Sequence, residues 1–416
     1  MNDSPAVAAQ PKVDFGPPAL LCASSFWECA PAGLPAVCFW RRNPVGRPVR
    51  IFAVGDTAFS GRVAASLEGR SSPIAGGVAA LLQSGDIVFG NLEGSLSDSI
   101  PRGSLFAAPA SAASLLSDSG FTLLHLANNH AYDYGPAGLG STLAALASAG
   151  VTPLGAGTDS FSARRPVRTD RRGLRIGWLG CGRSECAPAS DGPQFWEFDE
   201  AELLQAVTSA RREVDFLVAS LHMGFMYVDY PHPDHRTLAR RLAQAGADLV
   251  LMHHPHVLQG IEITPEGRGI CYSLGNFLLD WREGNVAPEV MIAEQNQGAI
   301  LLFDVDREGV SLMAALPTRI EARSTVQWAT GEAGRKILRR LARLSDDLKG
   351  DCTASFWKQR SERNTVLAVR VMWFHLSRGH WAVVWNGLKR VRREHLTMLA
   401  RWIRQFFRHP AETAAP

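Results

Sequence analysis

Short apolar runs alternate with Ala- and Leu-rich stretches along most of this 416-residue chain, and this alternation constrains its fold more than any other feature. We predict strands at residues 50–55, 86–90, 122–127, 174–180, 215–221, 249–252, 270–274 and 299–305, with helices at 136–149, 200–212 and 233–245. Nearly continuous apolar strands are typical of sheets that are covered on both faces. The pattern therefore predicts a layered α/β domain.

The same pattern divides the chain into four segments. Residues 1–48 contain many Pro, Ala and Cys residues without a sustained period, and we predict an irregular lead-in there. The α/β domain is expected at 49–325, with a loop at 284–298. A basic, Trp-rich helical extension is expected at 326–408, followed by a disordered tail at 409–416.

Side chains that can bind metals collect where the predicted strands end. These carboxylates, carboxamides and imidazoles are Asp56, Asn91, Glu93, Asn129, His130, Asp133, His222, His254, His256 and Asn276. In open α/β sheets, sites form in the crevice outside the carboxyl ends of the strands. We therefore expect these groups to converge there.

Oxygen and imidazole ligands without a thiolate suit divalent Mn, Fe or Zn. A side chain that bridges two ions must be anionic to offset their repulsion, as Glu93 is, although the neighbouring Asn91 could take the coordinating role instead. Two ions about 3.5–4 Å apart can activate water and stabilise charge at a reacting centre. His130 is the candidate to protonate a leaving group, with Asp133 as its orienting partner.

The remaining polar residues have more open roles. Asn91, Asn276 and His232 are candidates for contact with substrate, although Asn276 could equally be a turn residue and His232 a solvated one. His253 is expected to neighbour the metal ligands rather than to join them. His125 lies within an apolar run, which indicates a core residue.

Taken in order, six motifs resemble those of the CapA (poly-γ-glutamate capsule synthesis) family over residues 50–306. They are GD, GNLE, LANNHAYDYGPAGL, LHMG, AGADLVLMHHPHVLQGIE and YSLGNFLLD. The resemblance implies the four-layer fold of the calcineurin-like metallophosphoesterase superfamily, in which helices flank two packed sheets that hold a dinuclear metal centre. It implies as direct metal ligands Asp56, Glu93, Asn129, His222, His254 and His256. His130 would match the catalytic histidine of the superfamily's Asn-His motif.

Two positions depart from the wider pattern. The superfamily's first motif usually has a His two residues after the Asp, where this chain has Ala58, and CapA-like sequences commonly lack this His too. We expect one metal position to be weaker or differently filled as a result. Relatives also often carry an acidic residue after the His-x-Gly element, where this chain reads Phe225-Met226-Tyr227. A substrate contact or a charge is expected to be missing there.

The function expected from this resemblance is metal-dependent hydrolysis or transfer at an amide or phosphoester linkage, in capsule or poly-γ-glutamate biosynthesis. The substrate would be an acidic polymer or a small molecule. One alternative is a non-catalytic assembly protein that uses the same fold to hold a polymer or a synthetase partner. Another alternative is a tailoring enzyme for a small metabolite.

Charge is distributed unevenly along the chain. The net charge is +3, but residues 331–416 contain 18 Lys and Arg against 7 Asp and Glu, a net +11, which leaves −8 for the rest. Within 388–407, apolar residues recur every three to five positions opposite basic ones. Such a helix can pack on the body or lie in an anionic membrane surface. Nucleic-acid binding is disfavoured because no known motif for it appears.

Targeting signals are not evident in the sequence. The chain does not begin with a basic segment followed by an apolar one, and it contains no run of about 20 apolar residues. We expect a cytoplasmic protein without a signal peptide or a transmembrane segment; peripheral membrane contact through the basic tail is the alternative to packing of that tail on the body. The seven cysteines are scattered without a CxxC pair, so neither a thiolate zinc site nor a disulfide framework is expected.

Overall fold

The computed structural model describes residues 34–59, 72–101, 103–184, 191–279, 293–321 and 324–377, together with positions 63, 64, 67 and 381. Within these residues the chain forms two packed β-sheets between two layers of helices. The predicted four-layer α/β sandwich is therefore confirmed.

The strands are short at the periphery and long at the centre of each sheet. In chain order they are β1 (Val37–Arg41), β2 (Val49–Thr57), β3 (Ile87–Leu92), β4 (Ser95–Leu96), β5 (Ala107–Ala108), β6 (Leu123–His125), β7 (Thr152–Leu154), β8 (Ala156–Gly157), β9 (Val167–Arg171), β10 (Leu174–Gly182), β11 (Gln194–Phe195), β12 (Phe216–His222), β13 (Leu249–His253), β14 (Ile261–Ile263), β15 (Gly269–Cys271), β16 (Asn276–Leu278), β17 (Gln297–Asp306), β18 (Gly309–Ile320) and β19 (Val326–Trp328). Each of the eight predicted strands overlaps one of these.

The helices are α1 (Gly76–Gln83), α2 (Ala112–Asp118), α3 (Gly135–Ser148), α4 (Ser160–Arg164), α5 (Glu200–Ala210), α6 (Pro233–Ala245), α7 (Gly331–Asp347) and α8 (Thr353–Ser377), with a 3₁₀ turn at Ala293–Asn296. The three predicted helices correspond to α3, α5 and α6. Helices α7 and α8 confirm a helical C-terminal extension as far as residue 377. No helix in the described part of the chain is both long and apolar enough to cross a membrane.

Parallel pairing brings the ends of the central strands to the same edge. The first sheet has the order β1-β18-β17-β2-β3-β6-β7, with β16 beside β2 and β19 beside β18. The second sheet has the order β14-β15-β13-β12-β10-β9. Strands β2, β3, β6 and β7 run parallel in the first sheet, as do β10, β12, β13 and β15 in the second. Their carboxyl ends therefore form two neighbouring rows where a site can be built.

Alternation along the buried strands explains why the layers stack. In β2, Ile51 and Ala53 face the core between the two sheets, whereas Phe52 and Val54 face the core under the first helical layer. Between the sheets, Phe89 of β3 and Trp178 of β10 stack with ring centroids 5.5 Å apart. A third core lies under α5 and α6 on the outer face of the second sheet. Both faces of the central strands are thus covered.

The predicted irregular lead-in is wrong at its C-terminal end. Residues 37–41 form β1, which pairs antiparallel with β18 and buries Val37 and Phe39 between the sheets. Strand β18, the longest, is also absent from the prediction: its Ala- and Leu-rich sequence contains Pro317 and favours no strand locally. Pairing with β1, β17 and β19 decides its conformation. These contacts are long-range, so a local pattern does not reveal them.

The boundary predicted at residue 325 does not mark the end of the packed structure. Strand β19 continues the first sheet beyond it, and α7 buries Ile337, Leu338 and Leu341 in the core between the sheets. The predicted amphipathic stretch at 388–407 lies outside the described residues. The start of the extension is therefore part of the same body as the α/β layers.

A glycine makes the close approach of β2 to β16 possible. The backbone N–H of Asp56 donates to the carbonyl oxygen of Gly275 at 2.9 Å, and a Cβ atom on Gly55 would collide with that same oxygen. Gly275 itself has a φ of 65°, a conformation that glycine adopts without strain. The sequence patterns Gly-Asp and Leu-Gly-Asn thus meet in one backbone contact.

We expect Gly55→Ala to lower the free energy of unfolding by about 2 kcal/mol, because the added methyl group must push β16 away from β2. Denaturant unfolding monitored by circular dichroism measures this change. Gly76→Ala is the matched control, because a Cβ atom there meets no atom within 4 Å. Equal stability of the two variants would contradict the role given to the Gly55–Gly275 contact.

Candidate metal centre

Both sheets place polar side chains at one shared edge. Asp56, at the end of β2, stands opposite Asn91 of β3 on one side and Asn276 of β16 on the other. In the second sheet, His222 ends β12 and stands opposite His253, which ends β13. The two rows of strand ends face each other across the gap between the sheets.

One group of potential ligands consists of Asp56, Glu93 and His256, whose ligand atoms all lie within 4.8 Å of one another. Nδ1 of His256 is 3.2 Å from Oδ2 of Asp56, and its Nε2 is 3.8 Å from Oε1 of Glu93. All three side chains are buried. Two carboxylates and one imidazole at these distances can hold a divalent cation.

A second group consists of Glu93, His222 and His254, again with ligand atoms within 4.8 Å of one another. Nε2 of His222 is 3.8 Å from Oε1 of Glu93 and 3.2 Å from Nδ1 of His254. The amide oxygen of Asn129 lies 2.7 Å from the same Nε2 atom. Glu93 belongs to both groups, as a carboxylate between two cations would.

The carboxylate of Glu93 fits a bound cation better than it fits a site without one. Its side chain is fully buried, and among the described residues neither carboxylate oxygen has a hydrogen-bond partner. A buried carboxylate without such partners is costly unless a positive charge compensates it. The distance between Nε2 of His222 and Nδ1 of His254 is 3.2 Å. This is close to the separation of about 3.4 Å between two nitrogen ligands of a tetrahedral metal ion with metal–nitrogen bonds of 2.0–2.1 Å.

Burial and charge shift the titration of this cluster. Burial raises the pKa of Glu93 to about 7, although the charge of His256 opposes the shift. Burial would raise the pKa of Asp56 too, but the nearby imidazoles of His253 and His256 hold it well below its ordinary value. Burial opposes protonation of His256, yet the charges of Glu93 and Asp56 raise its pKa to about 9. The two carboxylates thus already favour a positive charge between them.

In the second group the pKa values of the imidazoles are lowered, whereas that of His256 in the first group is raised. Burial, together with the nearby His254, lowers the pKa of His222 well below its ordinary value. Burial and the charge of His256 lower the pKa of His254 to about 3. Both rings are therefore neutral at pH 7, the form in which an imidazole offers a lone pair to a metal.

Two of the predicted ligands sit on strained backbone. His254 has a φ of 99° and His256 a φ of 58°, in the left-handed region that side chains other than glycine seldom adopt. Such conformations cost about 1–3 kcal/mol each and cluster at functional sites. The loop after β13 turns sharply here, which directs both rings to the same edge.

Two predicted substrate contacts instead hold the ligands in place. Asn91 is fully buried, and its amide N–H donates to Oδ1 of Asp56 at 2.8 Å and faces Nδ1 of His222 at 3.1 Å. Oδ1 of Asn276 lies 3.0 Å from Nδ1 of His256. Both amides are buried, and these contacts orient Asp56, His222 and His256; the amide oxygen of Asn91 itself accepts from Asn128 at 3.3 Å.

His130 and Asp133 lie together beside Glu93. Nδ1 of His130 is 2.7 Å from Oδ2 of Asp133, and Nε2 is 3.7 Å from Oε1 of Glu93. The ring stacks on Phe106 with centroids 3.5 Å apart. These contacts hold Nε2 of His130 in a defined orientation next to both ligand groups. About a fifth of the side chain is exposed, so solvent can still reach the ring.

Sequence reasoning missed two residues that position His130. Asn128 is buried, donates to the carbonyl oxygen of Leu92 at 2.8 Å, and accepts the backbone N–H of His130 at 3.1 Å. Phe106 supplies the stacking surface. Asn128 belongs to the Asn-Asn-His motif, so the sequence could have indicated a role for it beside His130. No local pattern connects Phe106 with a histidine 24 positions later in the chain.

A cleft of about 620 Å³ opens beside the second ligand group. We call this feature the cleft; its lining includes Asn129, His222, His254, Arg183, Phe198, Glu200, Phe225, His232, Asp234 and His235. His232 caps the start of α6 by accepting the N–H of Asp234. The structure thus places the predicted substrate contact His232 on the cleft wall rather than among the ligands.

Comparisons with known proteins relate this chain to one bacterial family. The profile of the family described as bacterial capsule synthesis protein PGA_cap matches residues 50–281. The capsule biosynthesis protein CapA of Bacillus anthracis is 28% identical over 255 residues, which cover 59% of this chain and 58% of that protein. A probable polyglutamine synthesis accessory protein of Mycobacterium tuberculosis is 32% identical over 210 residues, 47% of this chain and 54% of that protein. The chain thus spans little more than half the length of these curated relatives.

One solved structure with similarity to this chain is a phosphatase of Mycoplasma pneumoniae. It aligns with a TM-score of 0.39 and 13% sequence identity, over 65% of this chain and 93% of that one.

We expect Glu93→Gln to abolish binding at both cation positions, because the substitution removes the only charge that the two groups share. His254→Ala should remove one position and leave the group of Asp56, Glu93 and His256 intact. Metal content measured by plasma mass spectrometry should therefore fall from about two ions per chain to about one in His254→Ala and to none in Glu93→Gln.

The matched control is His232→Ala, which removes an imidazole from the cleft wall but from neither ligand group. Its metal content should equal that of the unchanged protein. A Glu93→Gln protein that keeps a full complement of ions would show that this carboxylate is not the shared ligand.

Proposed function

This chain belongs to the bacterial capsule synthesis protein PGA_cap family, and from that premise we propose that it is a metal-dependent hydrolase or transferase acting on an amide or phosphoester linkage of an acidic substrate. The setting proposed is capsule or poly-γ-glutamate biosynthesis, because its Bacillus anthracis relative is a capsule biosynthesis protein by name. The observation that carries the proposal is the position of His130, whose Nε2 lies 3.7 Å from the carboxylate shared by the two ligand groups.

Asp56, Glu93 and His256 would hold one divalent cation, and Glu93, His222 and His254, with Asn129, the other. When bound, ions such as Mn, Fe or Zn polarise a carbonyl or phosphoryl oxygen and lower the pKa of water. The protein's contribution is to orient the ligands through Asn91 and Asn276 and to fix the substrate in the cleft.

His130 supplies the proton in this proposal. Asp133 accepts the Nδ1 proton of the ring, which leaves Nε2 as the atom that delivers a proton to the leaving group. Stacking on Phe106 prevents the ring from turning away. Since part of the ring is exposed, Nε2 can be reprotonated from solvent after each turnover.

A second candidate function is that of a non-catalytic assembly protein that holds a polymer or a synthetase partner. Ala58, at the position where the superfamily usually has a metal-site histidine, is buried in an apolar cluster with Phe106 and Leu279. The Mycobacterium tuberculosis relative carries the word accessory in its name. Both observations favour a site that binds metal without turnover.

We expect His130→Ala to reduce turnover by about 100- to 10,000-fold while metal content stays unchanged, because the imidazole lies beside the ligand groups without belonging to either. Hydrolysis of a γ-glutamyl peptide and of a generic phosphodiester by the metal-loaded protein measures the effect. Asp133→Asn should give a smaller loss, since the ring keeps Phe106 as its support.

Removal of the metal with a chelator and its re-addition provide the matched control on the unchanged protein. Full turnover by His130→Ala would contradict its role as proton donor. A metal-loaded protein that turns over neither substrate would overturn the enzyme proposal and leave the assembly protein as the supported function.

A further inference from the structure

Two arginine side chains stand over aromatic rings of the cleft wall. The guanidinium group of Arg183 lies 4.9 Å from the ring centroid of Phe198, and that of Arg360 lies 3.9 Å from the centroid of Phe225. Both phenylalanines line the cleft. Stacking on an aromatic face holds a guanidinium plane in a defined orientation and leaves its N–H groups directed outwards.

Arg183 reaches the cleft from the same strand edge as the metal ligands. It follows β10 directly, and the preceding Gly182 stands opposite His222 in the parallel register. Its backbone N–H donates to the carbonyl oxygen of His222 at 3.2 Å. The side chain is exposed and lines the cleft together with His222 and His254. A positive charge is thus fixed next to the second ligand group.

Arg360 lies on helix α8, outside the family match at residues 50–281, and it stacks on Phe225, a ring that lines the cleft. One turn earlier on this helix, Phe356 is fully buried and contacts the rings of Phe225 and His232 at centroid distances of 5.6 and 5.0 Å. The side chain of Gln359 accepts the backbone N–H of Asp229 at 2.7 Å. Helix α8 is therefore held firmly against the cleft wall.

Among the described residues neither guanidinium group forms an ion pair, although the charge of Arg183 acts on the partly buried carboxylate of Glu197. The acidic residues of the cleft, by contrast, have neighbours of their own. Glu200 forms an ion pair with Arg241, and Asp234 lies 3.7 Å from His232 with most of its side chain in solvent. The two arginines are thus free to bind an anion that enters the cleft.

We propose that Arg183 and Arg360 form a two-point carboxylate-binding rim at the cleft, which selects a substrate that carries several carboxylates, such as a γ-glutamyl oligomer. The choice of linkage rests on the proposed function; the binding itself does not. Helix α8 then acts as one wall of the substrate site.

The test measures binding of a defined γ-glutamyl oligomer and of the same oligomer with its α-carboxylates amidated, by calorimetry on the metal-loaded full chain. Arg183→Ala and Arg360→Ala should each weaken binding of the acidic oligomer about tenfold, the loss expected for one charge-assisted contact. Neither should change binding of the amidated oligomer. Arg183→Lys should retain part of the affinity, because it keeps the charge but not the planar fork.

Lys358→Ala is the matched control. The substitution removes one positive charge from α8, as Arg360→Ala does. Lys358 lies two positions before Arg360, and because successive helical residues are about 100° apart, its side chain is on the opposite face of the helix. Its binding should equal that of the unchanged protein. Thermal unfolding and metal content of each variant show whether a loss of affinity reflects a loss of folding.

Three results would overturn the rim: equal binding of the acidic and amidated oligomers, an equal loss in Lys358→Ala, or equal affinity for single-stranded DNA of the same charge. Because the readout is binding, the outcome does not depend on turnover. Tight, arginine-dependent binding without hydrolysis would contradict the proposed enzyme function and support the carboxylate-binding rim. Hydrolysis that does not depend on the two arginines would support the enzyme function and contradict the rim.

Discussion

The buried carboxylate of Glu93 is surrounded by imidazoles from the opposite sheet, and the arrangement of the whole site depends on this contact. Glu93 follows a strand of the first sheet, whereas His222 and His256 belong to the second. Removal of a carboxylate from water is costly, so the groups around it must supply positive charge or hold a cation. Electrostatics thus joins the two sheets at their shared edge, where the apolar core between them ends.

Backbone geometry makes this convergence possible. Gly55 lets β2 approach β16 so that Asp56 and Asn276 stand side by side, and Gly182 permits a similar approach to the carbonyl oxygen of Ala127. The left-handed conformations of His254 and His256 then turn their rings towards Glu93. Packing of the four layers stabilises these strained positions, since a loop alone would relax to a less costly conformation.

The C-terminal extension has two structural roles that the family match does not include. Helix α7 completes the core between the sheets, and α8 packs Phe356 against Phe225 of the cleft, beside the candidate metal centre. The loop after His222 carries Phe225 where relatives often have an acidic residue, and this ring contacts both Phe356 and Arg360. An aromatic residue at this position therefore connects the extension to the site.

The layered fold, the main strands and helices, and the chemical character of the candidate site could all be predicted from the sequence. These follow from local patterns: apolar runs, and polar residues such as Asp56, His222 and His254 at strand ends. Other features become visible only in the folded protein: β1 and β18 are strands, Asn91 donates to Asp56, Glu93 belongs to both candidate ligand groups, Phe106 stacks on His130, and Arg360 stacks on Phe225. The reason is physical: these features arise from contacts between segments far apart in the chain, and their free energy appears only when the layers pack.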